Sequence, residues 1–363
     1  MTTRPKDGSP TLGCAGAPWI DGAVHTAAND VPRVRTELSV RDRFGSARIR
    51  WGIGRMRYQV PPGLYAAGNP SPGSPVLVSA NYKMSFDRLR AALRGRDAWI
   101  LILNTDGINV WCAAGKGTFG TEEVVRRVQS TALDRIVSHR TLVVPQLGAP
   151  GVSAHMVRRS CGFRVVYGPV RAADLPVYLD SGLKAQLEMR RVRFDLGDRA
   201  VLIPVELVMG GTYALLIAAV LVLLGGLTSR GYSLASVRTN GLAGAGLILG
   251  AFLCSAVLGP VLLPWLPGRA FSVKGAILGL VMIGALTAGS GLTGSWLHIA
   301  AWALLVPTIA SFVVMNFTGA STYTSLSGVQ REMRFAVPAQ IAGAVIGFGL
   351  WLTGLFVRGG PGT

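Results

Sequence analysis

Eight residues, Asn109-Val110-Trp111-Cys112-Ala113-Ala114-Gly115-Lys116, hold the side chain best placed to do chemistry in this chain. They follow an apolar run, Trp99–Leu103, that reads as a buried strand, and they lead into a helical pattern from Glu122 to Val128. A lone cysteine just past the C-terminal end of a strand, near the start of a helix, stands where α/β folds usually bind ligands. The partial positive charge at a helix start favours an anion there. A thiolate is both a nucleophile and a soft metal ligand. A plainer alternative makes Cys112 a small buried hydrophobe beside Trp111. The generic pattern leaves both open.

The elements that must position this segment are short apolar strands alternating with helices. Residues 75–80 read as a strand, followed by an amphipathic helix over Ser85–Leu93. Trp99–Asn104 is a second strand, and the Cys112 segment with its helix comes next. Thr141–Pro145 is a third, with Gln146–Gly151 as exit loop and a helix from Val152 to Arg159. Phe163–Tyr167 is a fourth, leaving through Gly168-Pro169-Val170-Arg171 into a short helix over Ala172–Leu179. This alternation predicts a parallel, doubly wound sheet whose strand exits share one edge, where a flat ligand can lie.

Two phosphate-binding motifs are weak here. Gly115-Lys116-Gly117-Thr118-Phe119-Gly120 matches GxGxxG formally, but it stands well past the strand, and no acidic residue ends the next strand to hold a ribose. As a P-loop, Gly115-Lys116 is followed by Gly117 rather than Ser/Thr, and Val110 stands where the first glycine is needed.

Charge divides the chain. Residues 1–200 hold 29 of the 36 Lys/Arg and 16 of the 18 Asp/Glu, leaving seven and two for residues 201–363. The first part reads as a basic soluble domain, 36–200, and the second as an all-α transmembrane domain, 201–363. About five spans are expected, at 203–227, 240–263, 272–290, 296–317 and 336–357, the third Gly-rich and short. The first 35 residues lack the apolar region of a signal peptide. Rich in Pro, Gly, Ala and Thr, they are expected to be a disordered tail.

Arg190, Arg191, Arg193 and Arg199 stand just before the first span and predict a cytoplasmic soluble domain on an inner, cytoplasmic membrane. Loops bearing Arg269/Lys274 and Arg331/Arg334 would then be cytoplasmic, with Arg230, Arg238, Arg358 and the C-terminus outside. The polar loop Thr318–Ser327 would also face the cytoplasm. The scattered positive charge lacks a nucleic-acid-binding pattern, so nucleic acid is not an expected partner; a membrane-adjacent basic surface is. Cys14, Cys112, Cys161 and Cys254 are far apart and form no CxxC pair, which argues against an iron–sulfur or zinc site of ordinary spacing.

Several segments carry a family likeness beyond these patterns. They are Val60-Pro61-Pro62-Gly63-Leu64-Tyr65, Ala80-Asn81-Tyr82-Lys83, Asn109–Lys116 with Gly117–Thr121, Pro145–Val152, Val166-Tyr167-Gly168-Pro169-Val170-Arg171 and, in the membrane part, Asn316–Ser325. From Tyr58 onward the chain resembles the membrane-bound corrinoid protein of the bacterial mercury-methylation pair (HgcA type), with Asn109–Lys116 as its cap helix. The related soluble corrinoid iron–sulfur protein shares the corrinoid-domain fold but carries its own cluster and lacks the membrane part.

The resemblance implies an α/β Rossmann-like corrinoid-binding domain, a cobalamin-type cobalt corrinoid at the C-terminal edge of the sheet, and no iron–sulfur cluster in this chain. It implies a corrinoid-dependent methyltransferase passing methyl from cobalt to Hg(II) to form methylmercury, with Cys112 as lower axial cobalt ligand. The implied partners are a small 4Fe-4S ferredoxin as electron donor, a methyltetrahydrofolate-linked methyltransferase as methyl source, and membrane lipid. The alternative is a membrane-bound methyl carrier for a thiol, an arsenic species or a carbon-fixation enzyme. A further alternative is a transport or anchoring protein that only senses a nucleotide.

On that resemblance Asn109 caps and orients the helix. Val110, Trp111, Ala113, Ala114, Gly115 and Lys116 line the cofactor with Cys112, the small Ala113 and Ala114 allowing close approach; Lys116 also reads as a solvated charge. Asn81, Thr105, Gln146, Gly148, Tyr167 and Val170 sit at strand exits, placed to contact ring amides or the nucleotide tail. His139 and His155 are alternative cobalt ligands, more readily read as structural histidines.

Overall fold

The computed structural model describes residues 17–289, 295–317 and 326–357. Two compact units meet between Val192 and Arg193 in the chain, with Arg50–Gly52 grouped with the second. Up to Val192 the main elements are β1 (Ile20–His25), β2 (Asp30–Val34), α1 (Val40–Arg50), β3 (Gly63–Ala67), β4 (Val76–Ala80), α2 (Lys83–Ala92), β5 (Ala98–Leu103), α3 (Val110–Lys116), α4 (Thr121–Ser130), α5 (Leu133–Ile136), β6 (Thr141–Val144), α6 (Ala154–Cys161), β7 (Arg164–Tyr167) and α7 (Leu175–Asp180).

The sheet runs in the order β1-β2-β3-β5-β4-β6-β7. Strands β5, β4, β6 and β7 pair in parallel and are the four expected from the sequence. β5 is apolar and buried throughout, and β4 and β6 are apolar but for Ser79 and Thr141, because both their faces are covered; β7, at the edge, opens with the exposed Arg164. Trp99, Leu101 and Leu103 of β5 join the core under α3, α4 and α6. Ala98, Ile100 and Ile102 join the core that includes residues of α2 and α7. The strand order reverses between β4 and β6, which places a crevice outside their C-terminal ends.

Three departures from expectation have physical causes. The sheet is mixed: β3 runs antiparallel to β5, and β1 antiparallel to β2. Residues 17–35, expected to be disordered, supply β1 and β2. Pro, Gly and Ala dilute their composition, yet Val31 and Val34 are buried, and Trp19 packs edge-on against Tyr65 and Phe86 at 5.6 and 5.1 Å between ring centroids. Residues 1–16, with Cys14, lie outside the described residues. Finally, the segment expected as a helix over Ala172–Leu179 opens with a 3-10 turn, Ala172–Asp174, before α7 begins.

The second unit contains five long helices, Ile203–Leu224, Leu242–Leu262, Phe271–Ala288, Trp296–Asn316 and Leu326–Phe356. Among the described residues these account for the five segments long and apolar enough to cross a membrane, which marks a membrane protein. The glycines of the third have a packing reason. A Cβ on Gly275 would collide with the Ala310 carbonyl, and one on Gly279 with the Pro307 backbone, so the two helices approach backbone to backbone. Arg331 and Arg334, expected on a loop, lie inside the last helix, where Glu332 Oε1 accepts a 2.6 Å bond from Ser272 N at the start of the third. Lys274 is likewise helical, its Nζ donating to the Leu263 and Leu266 carbonyls at 2.7 Å. Most of the Thr318–Ser327 loop lies outside the described residues.

Charges are also buried in the first unit. Lys83 Nζ bridges Asp42 and Asp87 at 2.7 Å each, and Arg90 Nη2 bridges the same two carboxylates at 2.9 and 2.8 Å. Burial would raise the Asp42 carboxyl, but hydrogen bonds from Lys83, Ser39 and Arg90 outweigh it and hold the group far below the usual carboxylate range. Its pKa is thus depressed on folding, so its stabilising contribution is complete above about pH 5 and is lost as pH falls through about 4 toward the folded value. Thermal melts of the detergent-solubilised full chain are expected to show a first-unit transition that declines below about pH 4. Arg90→Met, which strands two buried carboxylates with one lysine, is expected to cost about 3–5 kcal/mol at neutral pH.

Candidate functional site

The C-terminal ends of β4, β5, β6 and β7 all open on one edge, because the four strands are mutually parallel. The loop leaving β5 is set by one side chain. Asn81, buried at the exit of β4, accepts hydrogen bonds at its Oδ1 from Thr105 N (3.1 Å) and Gly107 N (3.0 Å). Thr105 Oγ1 lies 2.8 Å from the same oxygen and 2.7 Å from the Ile108 carbonyl. These bonds hold Asp106 and Gly107 in the left-handed region, at φ 54° and 72°, and turn the chain into α3. Asn81 Nδ2 donates to Gln59 Oε1 and Asn104 Oδ1 at 3.2 and 3.4 Å. Asn81 and Thr105, expected to face a ligand, are therefore engaged inside the loop.

Asn109 caps α3 as expected, its side chain accepting from Cys112 N at 2.9 Å. Gly117 closes the helix in the left-handed conformation, φ 82°. The seven-residue helix presents Trp111, Cys112, Gly115 and Lys116 outward, with Trp111 43% exposed. Cys112 is exposed, so the buried-hydrophobe alternative does not describe it.

Ala113 and Ala114 point the other way. They are buried with Val110 in the core, so the surface expected to face a ligand is made by Trp111, Cys112, Gly115 and Lys116 rather than by the alanine side chains. Their small size serves the packing beneath the helix. A Cβ on Gly151 would collide with the Phe119 carbonyl and approach the Ala114 Cα to 3.2 Å. One on Gly148 would collide with the Phe119 ring. Gly115 is the reverse case: a Cβ there meets nothing within 4 Å. The glycine leaves the outer surface one turn from Cys112 bare.

Around this helix stand the other predicted residues. Gln146 begins the 3-10 turn Gln146–Gly148 that follows β6, and its Oε1 is buried with no hydrogen-bond partner among the described residues. Tyr167 donates its hydroxyl to the Val152 carbonyl at 2.6 Å, and Val170 N donates to the Met189 carbonyl at 2.8 Å. Sequence reasoning missed Glu123, a buried carboxylate at the start of α4. It accepts from Asn104 N at 2.7 Å and pairs with Arg126 and Arg127. The Glu122-Glu123 pair in the first helical turn was its signal in the sequence.

The remaining alternatives lie elsewhere or are engaged. Cys161 ends α6, its thiol donating to the Val157 carbonyl at 3.2 Å, and burial pushes its pKa up. His139 has its ring nitrogens against the Ser74 carbonyl (2.9 Å) and Thr141 N (3.2 Å), at the opposite edge of the sheet. A cavity of about 480 Å³ opens at that opposite edge, bordered by Val76, Arg96, His139 and Asp180. His155 is exposed and pairs with Ser153 Oγ at 3.0 Å. No cluster of three or more metal-ligating side chains occurs among the described residues.

Residues 54–177, from just before β3 into α7, match the family model described as CO dehydrogenase/acetyl-CoA synthase delta subunit. The chain is also similar, over a stretch of comparable length, to acetyl-CoA decarbonylase/synthase complex subunit gamma. It is 30% identical over 128 residues to that of Archaeoglobus fulgidus, covering 35% of this chain and 27% of the relative. It is 32% identical over 124 residues to that of Methanopyrus kandleri, covering 34% and 26%. It is 30% identical over 92 residues to that of Methanocaldococcus jannaschii, covering 25% and 19%. The chain thus spans about a quarter of the length of the first two relatives, and the family-model match stops before the long helices.

Asn81→Ala is expected to leave two buried N–H groups without acceptors and to destabilise the first unit by about 2–4 kcal/mol. Asn109→Ala is expected to cost about 1 kcal/mol. Hydrogen exchange of the full chain separates them: the first speeds exchange from 104 through α3, the second in α3 alone.

Proposed function

We propose that the first unit binds a corrinoid against the outer face of α3, with Cys112 Sγ as the axial donor to its metal, and that the chain is a membrane-anchored, corrinoid-dependent methyltransferase. The observation that carries this reading is the composition of that face. An exposed thiol stands beside a glycine with open space over it, above a floor so tightly packed that the helix has a fixed seat. The unpartnered Gln146 Oε1 nearby offers a ready acceptor for an amide N–H. Likeness to subunits of a one-carbon enzyme complex supports the same cofactor class.

A bound corrinoid supplies a metal centre that takes up and releases a methyl group. Cys112, held at the third position of a capped helix, would hold that centre through a soft sulfur donor. With a corrinoid bound, a donor of that kind would suit delivery of a methyl group to a soft electrophile. Hg(II), a soft electrophilic substrate, suits that release, and methylmercury is the proposed product. Asn109 fixes the helix, Asn81 and Glu123 fix the loop before it, and Trp111 stands exposed next to Cys112.

The proposed partners are a small 4Fe-4S ferredoxin as reductant and a folate-linked methyltransferase as methyl source. The soluble unit is proposed to face the cytoplasm. The names of the relatives favour a second reading, methyl carriage to an enzyme of acetyl-CoA chemistry without mercury activity.

Purified full chain in detergent, loaded with hydroxocobalamin under anoxia, is expected to show a thiolate-ligation change in the visible spectrum that Cys112→Ala abolishes. Membranes holding the chain, methylated corrinoid and a ferredoxin are expected to form methylmercury from Hg(II), and Cys112→Ala membranes are not. Corrinoid bound through Cys112 with no methylmercury selects the carrier reading. Absence of corrinoid binding overturns both.

A further inference from the structure

Residues 40–57 carry six arginines, Arg41, Arg43, Arg48, Arg50, Arg55 and Arg57, against one carboxylate, Asp42. Asp42 is turned inward onto Lys83 and Arg90, so it neutralises nothing on the outer surface. Every one of these arginines except Arg50 is exposed, and none joins an ion pair among the described residues. Interleaved with them are Val40, Phe44, Trp51 and Ile53, which are 83%, 69%, 48% and 57% exposed. On α1 the buried positions are Asp42 and Ile49, which leaves Val40, Arg41, Phe44 and Arg48 to the outside.

Unpaired guanidinium groups alternating with bared aromatic and branched aliphatic side chains form the composition of an interfacial segment. The apolar groups enter the headgroup boundary while the arginines meet lipid phosphates. We propose that residues 40–57 are a lipid-docking segment that lies on the anionic headgroup surface of a bilayer. The occupant follows from the chain itself, because five membrane-length helices covalently tie this segment to a bilayer. An acidic protein would need carboxylates and an apolar patch matched to this particular spacing, whereas an anionic lipid surface, to which the chain is already tied, supplies both chemistries at any spacing.

The test is hydrogen exchange of the full chain in nanodiscs of phosphatidylcholine alone and with about 30% phosphatidylglycerol. Exchange over residues 40–57 is expected to slow at least about fivefold in the anionic discs, and the slowing to vanish in about 1 M salt, where the Debye length falls to about 3 Å. A chain with Arg41, Arg43, Arg48, Arg55 and Arg57 all changed to Gln is expected to lose the slowing, with unchanged exchange in β4 and β5 showing that it is folded. Equal exchange in both discs overturns the proposal, including the case where an added acidic protein then slows it. Full slowing retained by Phe44→Ser/Trp51→Ser overturns it as well, since charge alone would then be enough.

Discussion

The site depends first on one amide oxygen. Asn81 Oδ1 takes the Thr105 and Gly107 N–H groups, which point into a buried space with no strand or helix to pair them. Buried N–H groups without partners are costly enough that the loop has no comparable alternative. With that oxygen in place, the chain passes through two left-handed residues and delivers Asn109 where it caps α3. The orientation of Cys112 is inherited from a hydrogen bond two elements away. Asn81 therefore acts on α3 through the loop that delivers it.

Packing fixes what hydrogen bonding starts. Gly148, Gly151, Ala113, Ala114 and Phe119 form a floor in which added carbons at either glycine collide with Phe119, its ring in one case and its carbonyl in the other. Interiors of this density have few alternative arrangements, so the helix above has a single seat. Gly115 is free of that pressure, and its lack of a side chain is meaningful only on the outer surface. The two uses of small residues are opposite. Beneath the helix they let backbones meet, and above it one leaves the surface beside Cys112 bare.

This division explains what the sequence could and could not say. The four parallel strands were legible because each is dominated by β-branched and other apolar residues between polar or Gly/Pro-bearing stretches, and the cap at Asn109 because Asn before a helical run is a preferred cap. Strands β1 and β2 were not, since their apolar residues are diluted by Gly, Ala, Asp and Pro and become inward-facing only once β3 is there to pair with β2. The burial of Ala113 and Ala114 was not legible, because small size is equally compatible with a ligand-facing surface and with a tight floor. A seven-residue helix is too short for periodicity to choose between them. The Asp42–Lys83–Asp87–Arg90 cluster joins residues as far as 48 positions apart in sequence, a pairing that local pattern does not contain.

Cys112 and Cys161 show how position on a helix divides one residue type into two chemistries. Cys161 ends α6, where main-chain carbonyls are exposed, and its thiol becomes a donor to one of them. Cys112 stands in the first turn of α3, where N–H groups face outward and a sulfur offering an electron pair is the complementary partner. The first sulfur is half-buried and engaged, the second exposed and unoccupied by its own helix. A lone cysteine in a first turn is by itself ordinary. What distinguishes this one is that the loop, the cap and the floor restrict the motion of the helix that carries it, so the sulfur is presented at a fixed height above a bare surface.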